Sequence, residues 1–187
     1  MRRLANVVGF DDAPFSFEGS ARVAVVGVVY ARLRFTGVLV GEVQKDGDDA
    51  AEVLVRLVAG SKFAGNLNLI MLQGIALGGF NVVDVFALHE ETGLPVLVVA
   101  RRAPDMAAVR EALLHNVPGG ARKWALIERL GPMEPVGQVY VQRVGLTLEE
   151  AATVVELFSV EGHVPEPLRV AHLIAGALVE GESRGRA

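Results

Sequence analysis

Apolar runs divided by glycine, proline and paired acids set out the order of elements. Leu4 to Phe10 reads as a strand, and two valine-rich runs, Val23 to Arg32 and Arg34 to Gln44, read as two more, joined tightly enough for a hairpin. The stretch Asp46 to Ala50 reads as a turn feeding a helix, with Asp48 or Asp49 as its cap and Ala51, Leu54, Val55 and Val58 on one face. Leu67 to Leu72 is a buried strand ended by Gln73-Gly74. Val82 to Thr92 is a helix closed by Gly93, and Leu94 to Ala100 is another buried strand, opened by Pro95. Pro104-Asp105 starts a helix running to about Asn116, with Pro118-Gly119-Gly120 as its stop. Gln138 to Val144 is a short strand, and Thr147-Leu148-Glu149-Glu150 is a capping box before a helix through Phe158. Pro165 to Pro167 opens a last helix, Leu168 to about Glu180, whose apolar face holds Leu168, Ala171, Ile174 or Ala175, and Leu178. No repeat or low-complexity linker interrupts this order.

Three strands in a meander, then helix, strand, helix, strand, helix, is the succession of a ribonuclease H-like α/β fold. Such a fold has a mixed sheet, helices on both faces and here a mixed C-terminal extension. At 187 residues, 51% of them hydrophobic and 21% charged, the chain fits a single domain, residues 1–187, with a full core. The uncharged stretch between Lys62 and Asp84 invites comparison with a membrane span. It is broken by Asn66, Asn68, Gln73, Asn81 and four glycines, whereas a spanning helix takes about 20 mostly apolar residues. It reads instead as a strand, a glycine-rich turn and a helix. The N-terminal residues are too poor in apolar side chains for a signal peptide, so a soluble cytoplasmic protein is expected.

Chemistry narrows next. There is no cysteine, which excludes disulfides and thiolate metal sites, and the four histidines form no H-x-H or H-x-x-x-H pair for zinc. A net charge of -4 argues against nucleic-acid binding through overall charge. A local basic groove built from Arg101, Arg102, Arg169, Arg184 and Arg186 stays open beside the plainer reading of solvated surface arginines.

The acids carry the sharper question. The run Val7 to Phe10 ends on Asp11 and Asp12, and Ala13, Pro14 and Phe15 follow at once. A strand that breaks on paired carboxylates either closes a loop or holds a cation. Asp46 and Asp49 lie just after the third strand, and in this fold both groups can meet near the end of the fourth, at Gln73-Gly74. Converging carboxylates repel unless a cation neutralises them. Oxygen ligands without Cys or His point to Mg²⁺ or Mn²⁺, which activates water and stabilises charge on a phosphate undergoing displacement. Singly, each acid also fits a turn or a helix cap.

The segments "GFDDAPF", "VQKDGDDA", "LQGIALGGFNVVD", "TGLPVLVVARRAPD" and "PEPLRVAHLIAGALVEGESRGR" together resemble the endonuclease dU family, from about Gly9 to Arg186. That family is related to endonuclease V, which cuts nucleic acid beside deaminated bases. The resemblance implies a Mg²⁺-dependent phosphodiesterase acting on deoxyuridine-containing DNA. It implies Asp11 as the first metal-binding acid and Asp46 as the second, with Asp49 in reserve. Asp11 and Asp46 are the expected catalytic residues, with Asp12 or Asp49 assisting in holding the metal. Gln73 falls where endonuclease V has an acid. An amide coordinates Mg²⁺ more weakly and is no base, so either Asp12 or Asp84 supplies the missing charge or the site binds metal poorly.

Further residues are candidates for substrate binding. Gly78 and Gly79 let backbone approach a phosphate or base, and a helix starting near Asn81 favours an anion; a plain glycine turn is the other reading. Phe80 is either a wedge beside a flipped base or a core residue. Glu166, Arg169 and His172 stand at i, i+3 and i+6: Arg169 for a phosphate and His172 for a proton, or a helix-packing pair. The expected partner is DNA with deaminated bases and no membrane, with a homodimer left open. A non-catalytic nucleic-acid or nucleotide binding module on the same fold is the alternative, and a structural subunit whose acids only cap turns is the third.

Overall fold

The computed structural model describes residues 4–15, 19 and 21–183. Three strands open it: β1 (Asn6–Asp12), β2 (Arg22–Ala31) and β3 (Arg34–Gln44). They form the expected antiparallel meander. Phe10 stands opposite Gly27, and its ring fills the place a Cβ there would take. Then come α1 (Ala50–Ala59), β4 (Leu69–Gln73), the two-residue strands β5 (Ala76–Leu77) and β6 (Asn81–Val82), α2 (Val85–Thr92) and β7 (Val96–Ala100). The chain ends with α3 (Met106–Asn116), α4 (Gly120–Leu130), β8 (Glu134–Val136), β9 (Val139–Val144), α5 (Leu148–Phe158) and α6 (Glu166–Glu180).

Seven strands make one sheet in the order β3-β2-β1-β4-β7-β9-β8, and β5 pairs with β6 apart from it. β4 runs parallel to β1, and β7 parallel to β4. Strands covered on both sides read as continuous apolar runs, as Leu69 to Leu72 and Val96 to Val99 do. One face packs Val7, Val26, Val28, Met71 and Val99 against Phe158 of α5 and Leu168, Ala171 and Ala175 of α6. The other packs Val8, Phe10, Val25, Ile70 and Val98 against Val53 and Leu54 of α1 and Leu88 of α2. Each fully buried Val, Leu or Phe contributes about 1.5–3 kcal/mol, so these two layers hold the sheet. They also fix the ends of its central strands.

The structure departs from the sequence pattern in four places. The helix expected from Val82 begins at Val85: Asn81 and Val82 are strand, and Asp84 caps the helix by accepting the Ala87 N–H at 3.0 Å. Pro118-Gly119-Gly120 ends α3 as read, but Gly119, at φ 68°, also starts α4, which the pattern did not foresee. Strand β8 is three residues long, below what periodicity detects. Asp49 precedes α1 without capping it. Asn81 does so instead, its amide oxygen accepting the Ala50 N–H at 3.1 Å. The capping box at Thr147 and Glu150 forms as read.

Candidate functional site

Paired acids end β1, and alternation along a strand sends neighbouring side chains to opposite faces. Asp11 turns toward α6. The approach is close because Gly9 lies against Pro167, whose carbonyl carbon is 2.7 Å from where a Cβ on residue 9 would stand. That contact sets α6 over β1 and brings His172 Nδ1 to 2.9 Å from Asp11 Oδ2. Asp11 Oδ1 accepts the Asp12 N–H at 2.9 Å. Asp11 is only 5% exposed. Burial, and then the charge of Asp12, push its carboxyl up to about 7, against the opposing pull of the Asp12 N–H and His172. Burial also raises Asp12, whose Oδ2 accepts the Gly78 N–H at 2.7 Å. Beside them Gln73 ends β4. A cavity of about 470 Å³ opens here, lined by Asp11, Asp12, Ala13, Pro14, Phe15, Gln73, Arg101 and His172.

Asp46 and Asp49 are not among the residues lining it. Asp46 sits at φ 54° and spends Oδ1 on the Phe80 N–H at 2.8 Å. Its own N–H donates to the Gly78 carbonyl at 2.9 Å. It therefore holds, from the α1 side, the same Gly78–Phe80 turn that Asp12 holds from β1. Asp49 Oδ1 accepts from the Gln44 N–H and the Asn81 amide, at 2.9 and 2.7 Å. Asp84 is the α2 cap, so Asp12 is the acid that stands with Asp11 near Gln73.

Other expected residues also find local roles. Gly78 and Gly79 have φ of 60° and 84°, values that favour glycine. The Asp46 carboxylate fills the space beside Gly79. Asn81 is fully buried in β6 and spends its amide oxygen on the first N–H of α1, while α2 starts only at Val85, so the helix start expected at Asn81 as an anion site is not there. Phe80 is half-buried and packs against the small core of Val82, Leu113 and Ile127 between α3 and α4. Arg169 is engaged by Glu166, with bonds of 2.7 and 2.8 Å, and lies 3.6 Å from Glu161, so it serves α6 and not the cavity. Arg101 and Arg102 are exposed, and Arg101 reaches the cavity. Arg184 and Arg186 lie outside the described residues.

Lys123 was missed. It is 1% exposed, and its ammonium donates to the Asp46 carbonyl at 2.6 Å and lies 3.8 Å from Asp48 Oδ1. A lysine spaced four and seven residues before Ile127 and Leu130, on the apolar stripe of α4, was the available signal. Lys123→Met keeps the length and removes the donor. A charged hydrogen bond of this kind is worth about 1.5–3 kcal/mol, and a loss of that size is expected in urea denaturation. An unchanged midpoint would show that Lys123 does not brace the Asp46 turn.

The sequence model of the family described as endonuclease dU matches residues 3–179. The chain belongs to the endonuclease dU family. Among relatives, a UPF0215 protein of Deinococcus radiodurans is 54% identical over 184 residues, covering 98% of this chain and 94% of that one. A UPF0215 protein of Methanothermobacter thermautotrophicus is 42% identical over 185 residues, covering 97% and 91%. The crystal structure of a protein of unknown function from Archaeoglobus fulgidus superposes with a TM-score of 0.87 at 37% identity, over 94% of this chain and 99% of that one. Endonuclease V of Bacillus subtilis gives a TM-score of 0.62 at 11% identity, over 95% and 81%. Endonuclease V of Ciona intestinalis, in complex with DNA containing an inosine followed by a ribo-adenosine, gives 0.56 at 15%, over 89% and 82%. The endonuclease dU chain thus has the ribonuclease H-like fold that its element order predicts.

Among the described residues no group of three or more His, Cys, Asp or Glu side chains is arranged to hold a metal ion. Two carboxylates and one amide oxygen around an open cavity nonetheless suit a hard cation that keeps most of its own water, as Mg²⁺ does.

Proposed function

We propose that this endonuclease dU protein is a metal-dependent nuclease that hydrolyses phosphodiester bonds in DNA containing deaminated bases, with deoxyuridine as the first candidate. The supporting observation is the buried Asp11 at the end of the central strand, beside Asp12, Gln73, His172 and Arg101 on one cavity. Asp11 and Asp12 would hold Mg²⁺ or Mn²⁺, with the Gln73 amide oxygen as a weaker third donor. The ion, when bound, lowers the pKa of a water and offsets charge on the phosphate. Asp46 and Asp49 keep the surrounding turns in place. His172 orients Asp11 through its 2.9 Å contact, and its half-exposed ring can pass a proton between Asp11 and solvent. Arg101, which lines the same cavity, would face the phosphate. The chemistry needs no membrane, and no helix among the described residues is long and apolar enough to cross one. We place its work in the cytoplasm.

The test is cleavage of oligonucleotides carrying uracil, hypoxanthine or no lesion, with Mg²⁺, Mn²⁺ or EDTA. Cleavage only beside uracil and only with metal is expected. Binding without cleavage in every metal would favour the alternative, a non-catalytic nucleic-acid binding module, for which the neutral Gln73 speaks.

Gln73→Asp adds a charged oxygen donor at this strand end. Calorimetric titration should show Mg²⁺ binding tightened relative to the native protein, because a charged carboxylate oxygen replaces a neutral amide one. The gain should be larger for Mg²⁺ than for a softer ion. Equal or weaker affinity would mean that Gln73 does not take part in holding the ion.

A further inference from the structure

Phe15 has no part in the core and none in holding an ion. It is 38% exposed although it lies only three residues beyond Asp12. With Ala13 and Pro14 it forms a wall shared by two cavities. One is the cavity of about 470 Å³ that holds Asp11 and Asp12. The other, of about 430 Å³, continues past the ring over Val23, Ala24 and Val179 to Arg22. The ring is seated: its tip, Cζ, is 3.5 Å from where a Cβ of Gly79 would lie, on the turn that Asp12 and Asp46 clamp. The Lys45 ammonium lies 5.8 Å from the ring centroid. An exposed aromatic held in place, with cationic side chains around it in a chain of net charge -4, is a platform for a flat ligand bearing negative charge.

We infer that Phe15 stacks on an unpaired nucleobase next to the phosphodiester held at Asp11 and Asp12, and that the strand continues past the ring into the cavity ending at Arg22. This rests on the nuclease reading and adds a nucleotide position to it. A strand whose phosphate occupies the first cavity must pass Ala13, Pro14 and Phe15 to reach the second. The walls beyond are largely aliphatic, suited to a base face, and the Lys45 ammonium beside the ring suits a flanking phosphate, while Arg22 is held by Glu42 and Asp49 and only bounds the far end. Stacking tolerates any base, so this position secures the strand without reading its sequence.

The experiment measures binding, so it is independent of cleavage. Short single-stranded oligonucleotides carrying one deoxyuridine are titrated with Ca²⁺ in place of Mg²⁺, and an abasic residue is moved along the strand one position at a time. In the native protein one position beside the deoxyuridine should weaken binding about tenfold or more when its base is removed, the scale of one base–aromatic stack. Phe15→Ala and Phe15→Leu should weaken the intact strand by a similar factor and become insensitive to base removal at that position alone. Phe15→Trp should restore both affinity and sensitivity. An abasic profile unchanged in Phe15→Ala, or a Phe15→Leu protein that behaves as the native one, overturns the stacking position while leaving the nuclease reading intact if cleavage persists. No binding of any oligonucleotide by the native protein overturns both.

Discussion

Asp11→Asn should lower metal-dependent cleavage by at least about two orders of magnitude, the scale seen when a group that stabilises developing charge is removed. It should do so while raising the thermal midpoint of the metal-free protein. The two effects share one cause. Asp11 is buried beside Asp12, and its carboxyl lies near 7 against 3.8 for the free group. Between those values the folded protein binds more protons than the unfolded chain. The contribution of Asp11 to stability is therefore fully present below the lower value and is lost as pH rises through the upper one. Asparagine has no proton to lose, so the variant should be the more stable above about pH 7, with the difference shrinking as pH falls toward 4. In a chain of this size each kcal/mol of that gain appears as a midpoint shift of about 2–4 °C. Thermal denaturation in EDTA at both ends of the range, with single-turnover cleavage alongside, checks it. If the variant is equally destabilised at every pH and cuts normally per folded molecule, Asp11 is a turn residue and the metal site is elsewhere.

Gly9→Ala should be strongly destabilising and should disturb the candidate site as well. The added Cβ would meet three atoms of Pro167 at once, its carbonyl carbon at 2.7 Å, its Cβ at 2.8 Å and its carbonyl oxygen at 2.9 Å. Backbone cannot rotate aside as a flexible side chain does, so α6 must lift from β1. That helix carries Leu168, Ala171 and Ala175 into one of the two cores and His172 to Asp11. A loss of about 2–4 kcal/mol in chemical denaturation is expected, at or beyond the upper range for overpacking because main chain is involved. Cleavage per folded molecule should fall as well, since the 2.9 Å contact between His172 and Asp11 cannot survive the shift. Native-like stability in Gly9→Ala would mean that α6 is not seated on β1 as described.

The acids divide along the same line. Asp11 and Asp12 were legible as paired carboxylates at the end of an apolar strand, a feature written in adjacent residues, and the structure places both on one cavity. Asp46 looked equivalent on the same grounds and is not. Its carboxylate belongs to Phe80, 34 residues on, and its carbonyl to Lys123, 77 residues on. A carboxylate in a turn reads alike whether it faces solvent, an ion or an N–H, and only the partner distinguishes them. Arg169 misled in the same way: its spacing from His172 was correct, but the side chain turns back to Glu166 on its own helix.

By itself, the sequence determined what short-range chemistry dictates. The three-strand meander follows from valine-rich runs, the capping box at Thr147 from four adjacent residues, and the ribonuclease H-like order from the succession of periods. The family followed from long matching segments. Tertiary structure alone decided the rest. Strand β6 exists because Asn81 is drawn into the interior to serve Ala50, Gln44 and Asp49. Helix α4 places a buried lysine under a turn far away in the chain. Phe15 becomes a wall between two cavities only once β1, β2 and α6 are side by side. The physical reason is that caps and periodicity act within one turn or strand. Burial, the partner of a buried charge and the walls of a cavity depend on which distant segments the packing of the sheet brings together.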